Sequence, residues 1–513
     1  MEQLNLWGDA FKIEPSPQSV KKIKNKVNNP KNPKVVTEKI INSKSVSIFD
    51  KMNLVESEVY RILGKYRENT RIIDNYDDFV KYCDAIIKNG ICAIDTETNN
   101  SLDYLTCKLM GLCLYIPSDK NVYIPVNHCR LDQYAKDYQG ERLPWQITEE
   151  QIRIQLQRLV DNHVKFIFHN GKFDYQVIWC TCGIKLPIYW DTLIGARMLN
   201  ENEPAGLKVQ YIGKIDSSIE KYDIEKLFAK LPYAIFDPKL FALYSATDAF
   251  MTYKLYLYQL EQFMRPENAK LFKCFMDVEM QCVIPFAEME LYGVGVDFEY
   301  AKELSKHYHR LYDDLTFETE GVLNKYQDEI YLWRQKPSAT YKPWIFMNTH
   351  KNADGKAEIA TINGVKCKWS TYPEQSPMTI PSNLSLKFAK SKSEQLSDPV
   401  TVDSLNSPTQ LAILLYDVLG VEEGAGDEEA DKKKKDYVPS RSTGEEALKK
   451  IDDKYSLPIL KQVLKMRELN KLINTYIEKI PSSVSVVDNR VHTHFNQLGA
   501  DTGRTSSSDP INL

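Results

Sequence analysis

Between Arg71 and about Phe263, short apolar runs alternate with stretches of helical spacing. ICAIDTET (91–98) is a compact apolar run that ends in acids. LMGLCLYI and NVYIPV predict the next two strands, with the turn signal PSDK between them. TEEQIRIQLQRLVDN predicts a helix with Thr148 as N-cap and two glutamates in its first turn. VKFIFHN predicts another strand, followed by a helix and then IYWDTL. Strands interleaved with helices predict a sheet covered by helices, an α/β domain over 71–263.

The pattern differs on either side of this domain. Residues 1–70 predict a basic disordered tail, since up to about position 55 they are rich in Lys, Asn, Ser and Pro with few apolar anchors. Its start is an exception: QLNLW places Leu4, Leu6 and Trp7 on an otherwise polar arm, which reads either as the start of a buried element or as a docking peptide. Residues 264–320 predict mostly helix, whereas 330–400 are polar, aromatic and irregular and read as an insertion. NSPTQLAILLYDVLGV predicts a helix with an Asn/Ser-Pro start, and Ser456–Pro481 a long amphipathic helix. Between them EEGAGDEEADKKKKD reads as a solvated loop, acidic and then basic.

With 513 residues the chain is too long for one ordinary core, and its 43% hydrophobic and 27% charged composition is that of a soluble globular protein. A net charge of −4 means that any nucleic-acid surface must be a local patch. No apolar run is long enough to span a membrane, and the N-terminus lacks a signal-peptide core, so no membrane partner is expected. The ten cysteines include no CxxC pair and no nearby His cluster, which argues against zinc. Reduced thiols in a cytoplasmic protein are the expectation, in the host cytoplasm if the source is viral.

DTET supplies Asp95 and Glu97 at i and i+2, on one side of a strand. HNGKFD adds Asp174 after a strand and at the opening of a helix. YSATDAF places Tyr244 and Asp248 four apart, on one face of a predicted helix. Four carboxylates and a phenol in one α/β domain suit two hard divalent cations, which need oxygen ligands and can activate water against a phosphodiester. Tyr244 is placed to orient or help deprotonate that water.

The order DTET, HNGKFD, YSATD resembles the three exonuclease motifs of the DEDDy group on the RNase H-like fold, over roughly 71–263. The resemblance implies a 3′–5′ exonuclease with Asp95, Glu97, Asp174 and Asp248 holding two Mg²⁺ or Mn²⁺ and Tyr244 orienting the water. It also implies Asn170 beside the substrate strand and a supporting role for Asp191. QLNLW resembles the peptide by which bacterial DNA polymerases and repair proteins bind a sliding clamp, which implies Gln3, Leu4, Leu6 and Trp7 as clamp-binding residues.

Residues 264–513 resemble the start of the polymerase region of family A DNA polymerases, its thumb, in a bacteriophage-like version. The segments that carry this are EMELYGVGVD, NSPTQL, RSTGEEALKKI, LKMRELNKLINTYIEKIP and HTHFNQLGADTGRTSSSDPINL. The resemblance implies that Arg504, Ser506 and Ser507 lie along the duplex near the primer terminus and that Arg467 and Lys471 contact DNA. Arginine and small hydroxyls bind any sequence through features common to all base pairs. Lys432–Lys435 read equally as a thumb-tip contact to the duplex backbone or as solvated balance to the preceding acids. In this sequence Ile511 separates Pro510 from Asn512, unlike the family pattern, so Asn512 is given no role.

The palm and fingers motifs of the family do not occur in the sequence, so this chain alone is not expected to polymerise. A split gene with a second palm/fingers polypeptide, or a truncation, is the expectation. The alternatives are a stand-alone exonuclease of the RNase D or Werner type, and a non-catalytic accessory tethered to a clamp.

Overall fold

The computed structural model describes residues 47–218, 228, 230–342, 390–433, 437–499 and 503–510, and the backbone of 344–348, 361–362, 365–366 and 384–388. The Gln3–Trp7 peptide, Lys434 and Lys435 lie outside the described residues.

Six strands form the central sheet: β1 (Thr70–Ile72), β2 (Ile91–Thr98), β3 (Leu109–Tyr115), β4 (Asn121–Pro125), β7 (Lys165–Phe168) and β8 (Trp190–Asp191), in the order β1-β4-β3-β2-β7-β8. A separate hairpin, β5 (Cys129–Leu131) with β6 (Gln139–Arg142), lies between β4 and the next helix in the chain. The sheet is mixed: β2 runs antiparallel to β3 and parallel to β7.

Alternation along β2 divides its side chains between two cores. Cys92 and Ile94 belong to the layer under the helices Tyr76–Asn89, Glu149–Asp161 and Gly171–Cys182. Ala93 belongs to the opposite layer, under the 26-residue helix Pro238–Phe263. Asp95 and Glu97 share the parity of Ala93 and so fall on the side of that long helix. Thr148 caps the helix Glu149–Asp161 in a full capping box with Gln151, as the sequence pattern requires.

The expected unstructured tail through residue 70 is corrected from Ser47 onward. Ile48–Leu63 is a helix capped by the Ser47 side chain, and Val55, Val59 and Leu63 are fully buried in the core under Pro238–Phe263. Their spacing of four is the helical signal, masked in sequence by the Lys/Asn-rich stretch before it. Each such aliphatic side chain withdrawn from water contributes about 1.5–3 kcal/mol.

Two compact units divide the chain: one holds residues up to Gly295 together with Ser485–Leu513, the other Val296–Val484. Residues 264–295 and the chain from 485 on thus group with the exonuclease-like sheet rather than with the helical unit. In the first unit, strand His494–Asn496 pairs antiparallel with Ser506–Ser508, which turns the HTHFNQ…TGRTSSS segment into a hairpin.

The second unit is mainly helical, built on Phe298–Leu323, Glu445–Tyr455 and Pro458–Lys471. Segment 330–400 is not wholly irregular: Gln327–Arg334 is a helix, and Trp344–Asn348 pairs antiparallel with Leu384–Phe388. Ile330, Trp333, Leu396 and Val400 are buried in this unit's core, so the flanks of the expected insertion are structural. Ser407 caps Pro408–Ala412, which continues into a π-helical turn over Ile413–Val418. The acids near position 425 are partly paired, Glu422 with Lys454 and Glu428 with Lys450.

Candidate active site

Asp95 and Glu97 stand on β2 opposite Cys113 and Gly111 of β3, and single ligand atoms of Asp95, Glu97 and Cys113 lie within 4.8 Å of one another. Asp95 is partly exposed, whereas Glu97 is buried. Asp174 comes from the first turn of Gly171–Cys182. Its Oδ1 accepts from the Thr96 amide at 2.8 Å and from the Thr96 hydroxyl at 2.6 Å, which fixes it against the middle of DTET.

Tyr244 and Asp248 lie on the long helix Pro238–Phe263, and both are buried. Lys208, on the helix Leu207–Lys214, was not visible as a site residue in the sequence. Its Nζ lies 2.7 Å from Asp248 Oδ2 and 4.5 Å from the centre of the Tyr244 ring. Asp248 Oδ1 is buried without a hydrogen-bond partner. An orphaned carboxylate oxygen is costly to keep dry, and here it sits in a cluster of oxygen donors.

The charges act on one another. Asp95 is held well above the usual carboxylate range, first by burial and then by Asp174, Glu97 and Asp248. Glu97 is raised in the same way by burial and by Asp248, while Lys208 opposes both shifts. Burial pushes Asp174 up to about 7 despite the two Thr96 hydrogen bonds. Like-charged carboxylates crowded out of water bind protons, or a cation, to relieve the repulsion. Burial, with help from Lys208, brings His169 down to about 3, so its imidazole is neutral.

Four carboxylates with one orphaned oxygen fit hard divalent cations. Cys113 is the odd donor: its buried thiol is held well above its ordinary pKa by burial and by the nearby acids, and a neutral thiol is a poor ligand for Mg²⁺.

Asp191 has a different task, as expected. It is fully buried at the end of β8, and its carboxylate accepts from the backbone amides of Asn170, Gly171, Leu193 and Ile194. It therefore joins the starts of the helices Gly171–Cys182 and Thr192–Leu199. Asn170 takes a left-handed backbone with φ 67°, and a Cβ on Gly171 would lie 2.5 Å from Phe168 Cβ. Asp191→Ala leaves these buried amides unsatisfied and should destabilise the protein by about 2–4 kcal/mol. Urea unfolding measures the loss, and a change below about 0.5 kcal/mol contradicts the role.

The remaining sequence-derived residues are spread between the units. Arg504 is exposed in the loop between strands His494–Asn496 and Ser506–Ser508, Ser506 is half-buried and Ser507 is buried. In the second unit Lys471 is exposed, and Arg467 is half-buried with its guanidinium donating to the Thr443 carbonyl. No helix among the described residues is long and apolar enough to cross a membrane.

Two family models match in chain order: "3'-5' exonuclease" over residues 70–262 and "DNA polymerase family A" over residues 383–513. The first stretch is similar to 3'-5' exonuclease domains and the second to family A DNA polymerases. The DNA polymerase I of Chloroflexus aurantiacus is 26% identical over 424 residues, which cover 82% of this chain and 34% of that protein. That of Borreliella burgdorferi is 24% identical over 468 residues, covering 90% and 38%. The thermostable DNA polymerase I of Thermus thermophilus is 40% identical over 107 residues, covering 21% and 12%. The chain thus spans little more than a third of the first two relatives. In fold it is similar to the POL domain of Pol1 from M. smegmatis, solved in complex with DNA primer-template and dNTP. That likeness has a TM-score of 0.52 at 16% identity and covers 84% of this chain and 53% of that one. The fold is an RNase H-like exonuclease domain followed by a mainly helical polymerase region.

Proposed function

We propose that this chain removes nucleotides from DNA 3′ ends by metal-dependent hydrolysis, as the proofreading part of a family A polymerase. The observation that carries the reading is the convergence of Asp95, Glu97, Asp174 and Asp248, with Tyr244 and Lys208, at one end of β2. The exonuclease domain would occupy 71–263 and the thumb would begin at 264, with the helical unit Val296–Val484 as its body.

The four carboxylates would hold two Mg²⁺ or Mn²⁺, which when bound supply Lewis-acid stabilisation of the phosphoryl oxygens and a low-pKa water. Thr96 holds Asp174 in place for that task, and Asp248 offers its unpartnered Oδ1. Tyr244 would orient the attacking water through its hydroxyl, and Asn170, at a helix N-terminus, would face the substrate strand. Lys208 offsets the carboxylate charge through its pair with Asp248 Oδ2, which leaves Oδ1 as the oxygen that would face a cation.

Exposed Arg504 and Lys471 suit contacts to a DNA backbone, with Ser506 and Ser507 beside Arg504. Arg467 would act mainly by holding the Thr443 carbonyl. Arg504→Ala should weaken primer–template binding several-fold and lower the slope of log affinity against log salt by about one. Fluorescence anisotropy over a salt series reads this, and an unchanged slope removes Arg504 from the phosphate contacts.

Gln3, Leu4, Leu6 and Trp7 would dock on a sliding clamp. The reaction is tested with 5′-labelled DNA and RNA oligonucleotides in Mg²⁺ or in chelator. A ladder of shortened DNA products that needs Mg²⁺ supports the proposal. Preference for RNA favours an RNase D-like enzyme, and no cleavage of either leaves a non-catalytic role.

A further inference from the structure

The hydrogen-bonding network around Glu290 lies beside the carboxylate cluster but is not part of it. Glu290 is on the helix Met280–Tyr292, and its side chain is 1% exposed. Its Oε1 pairs with Lys172 Nζ and accepts from the Phe495 amide at 2.6 Å, with His494 Nδ1 at 3.2 Å. Its Oε2 accepts from Gln176 Nε2 at 2.6 Å. Lys172 Nζ donates also to the Phe495 carbonyl.

These bonds join two elements with separate tasks. Lys172 and Gln176 are one turn apart on the helix Gly171–Cys182 and both turn to Glu290. Asp174, between them, turns the other way to Thr96. On the far side of Glu290, Phe495 belongs to the strand paired with Ser506–Ser508, whose connecting loop carries Arg504. A buried ion pair costs desolvation, and its best-attested benefit is to specify one arrangement of the elements it joins.

We infer that the Lys172–Glu290 pair is a mechanical joint that sets the position of Asp174 from the Arg504 hairpin, which makes both residues positioning residues. The inference rests on the proposed role of Asp174, but its test needs neither metal nor turnover. Displacement of the hairpin, for instance by a duplex seated on it, is transmitted through Glu290 to the helix that presents Asp174. Such coupling requires a physically connected element, and here the connection runs from the Phe495 backbone through two side chains, Glu290 and then Lys172 or Gln176.

The Thr96 amide reports the position of Asp174, because it donates to that carboxylate rather than only to the sheet. Amide hydrogen exchange is followed on the full chain for wild type, Lys172→Met, Glu290→Gln and Lys172→Arg, without metal. Lys172→Met and Glu290→Gln are expected to speed exchange at least tenfold at Thr96 and across 494–496 and 506–508. Leu112 and Leu114 of β3 should be unchanged, and Lys172→Arg should restore most of the protection.

Faster exchange of the hairpin with Thr96 unchanged would overturn the joint. So would a uniform rise that includes β3, which marks general loss of stability. If Lys172→Met does not fold, Glu290→Gln, which keeps the side chain's size but replaces one acceptor oxygen with an NH2 that cannot accept a hydrogen bond, carries the test. Failure here leaves the exonuclease reading intact, and a metal-independent or absent nuclease leaves this joint measurable.

Discussion

Asp95→Ala is expected to lower the rate of 3′-end hydrolysis by about 1000-fold or more. The reason is charge: each tenfold in rate is about 1.36 kcal/mol, and a lost cation ligand removes several kcal/mol of stabilisation from the transition state. The same substitution should leave the metal-free protein at least as stable as wild type. Asp95 is destabilised in its charged form by burial and by three neighbouring carboxylates, so its removal relieves repulsion. A lower melting temperature in chelator, or retained activity, contradicts this assignment. The two readouts separate a catalytic group, whose loss costs rate, from a packing group, whose loss costs stability.

Lys208→Met should shift the pH dependence of cation binding and of hydrolysis upward by about one pH unit. Lys208 is the cation that opposes the raised proton affinities of Asp95 and Glu97, and it pairs directly with Asp248. Without it the acids hold protons to a higher pH, and a divalent cation must displace them. The sign for stability follows from Asp174. Its carboxyl rises from 3.8 to about 7 in the folded protein, so the folded state holds that proton more tightly. This contribution to metal-free stability is fully present below about 4 and is lost as pH rises to about 7. Mg²⁺ should therefore raise the melting temperature more at pH 8 than at pH 5.5, and the difference should widen in Lys208→Met. Superimposable pH profiles for wild type and variant would remove Lys208 from the site.

Most of the carboxylate cluster was legible because each acid lies in a short motif bound to a recognisable element. DTET ends an apolar strand, HNGKFD crosses from strand to helix, and Tyr244 and Asp248 share the i, i+4 spacing of one helix. Lys208 was not legible, because it lies on a separate helix with no motif and reaches Asp248 only through the tertiary fold. Cys113 was hidden for a related reason: it faces Asp95 through strand pairing, which a linear reading does not register. The tail boundary was misplaced because local Lys/Asn composition outweighed the fourfold spacing of Val55, Val59 and Leu63. Arg467, which the resemblance places on DNA, donates through Nη1 to the Thr443 carbonyl, a contact that its place in the motif does not reveal. The hairpin that presents Arg504 depends on strand pairing between segments whose short runs carry little pattern of their own.

The claim on which the rest depends is that Asp95, Glu97, Asp174 and Asp248 together hold divalent cations. Anomalous diffraction from crystals soaked in Mn²⁺ tests it directly, with Asp248→Ala as the control. The account predicts manganese peaks bounded by these four carboxylates, with loss of at least one peak in the control. Peaks confined to other surfaces, or a cleft that stays empty at saturating Mn²⁺, would contradict it.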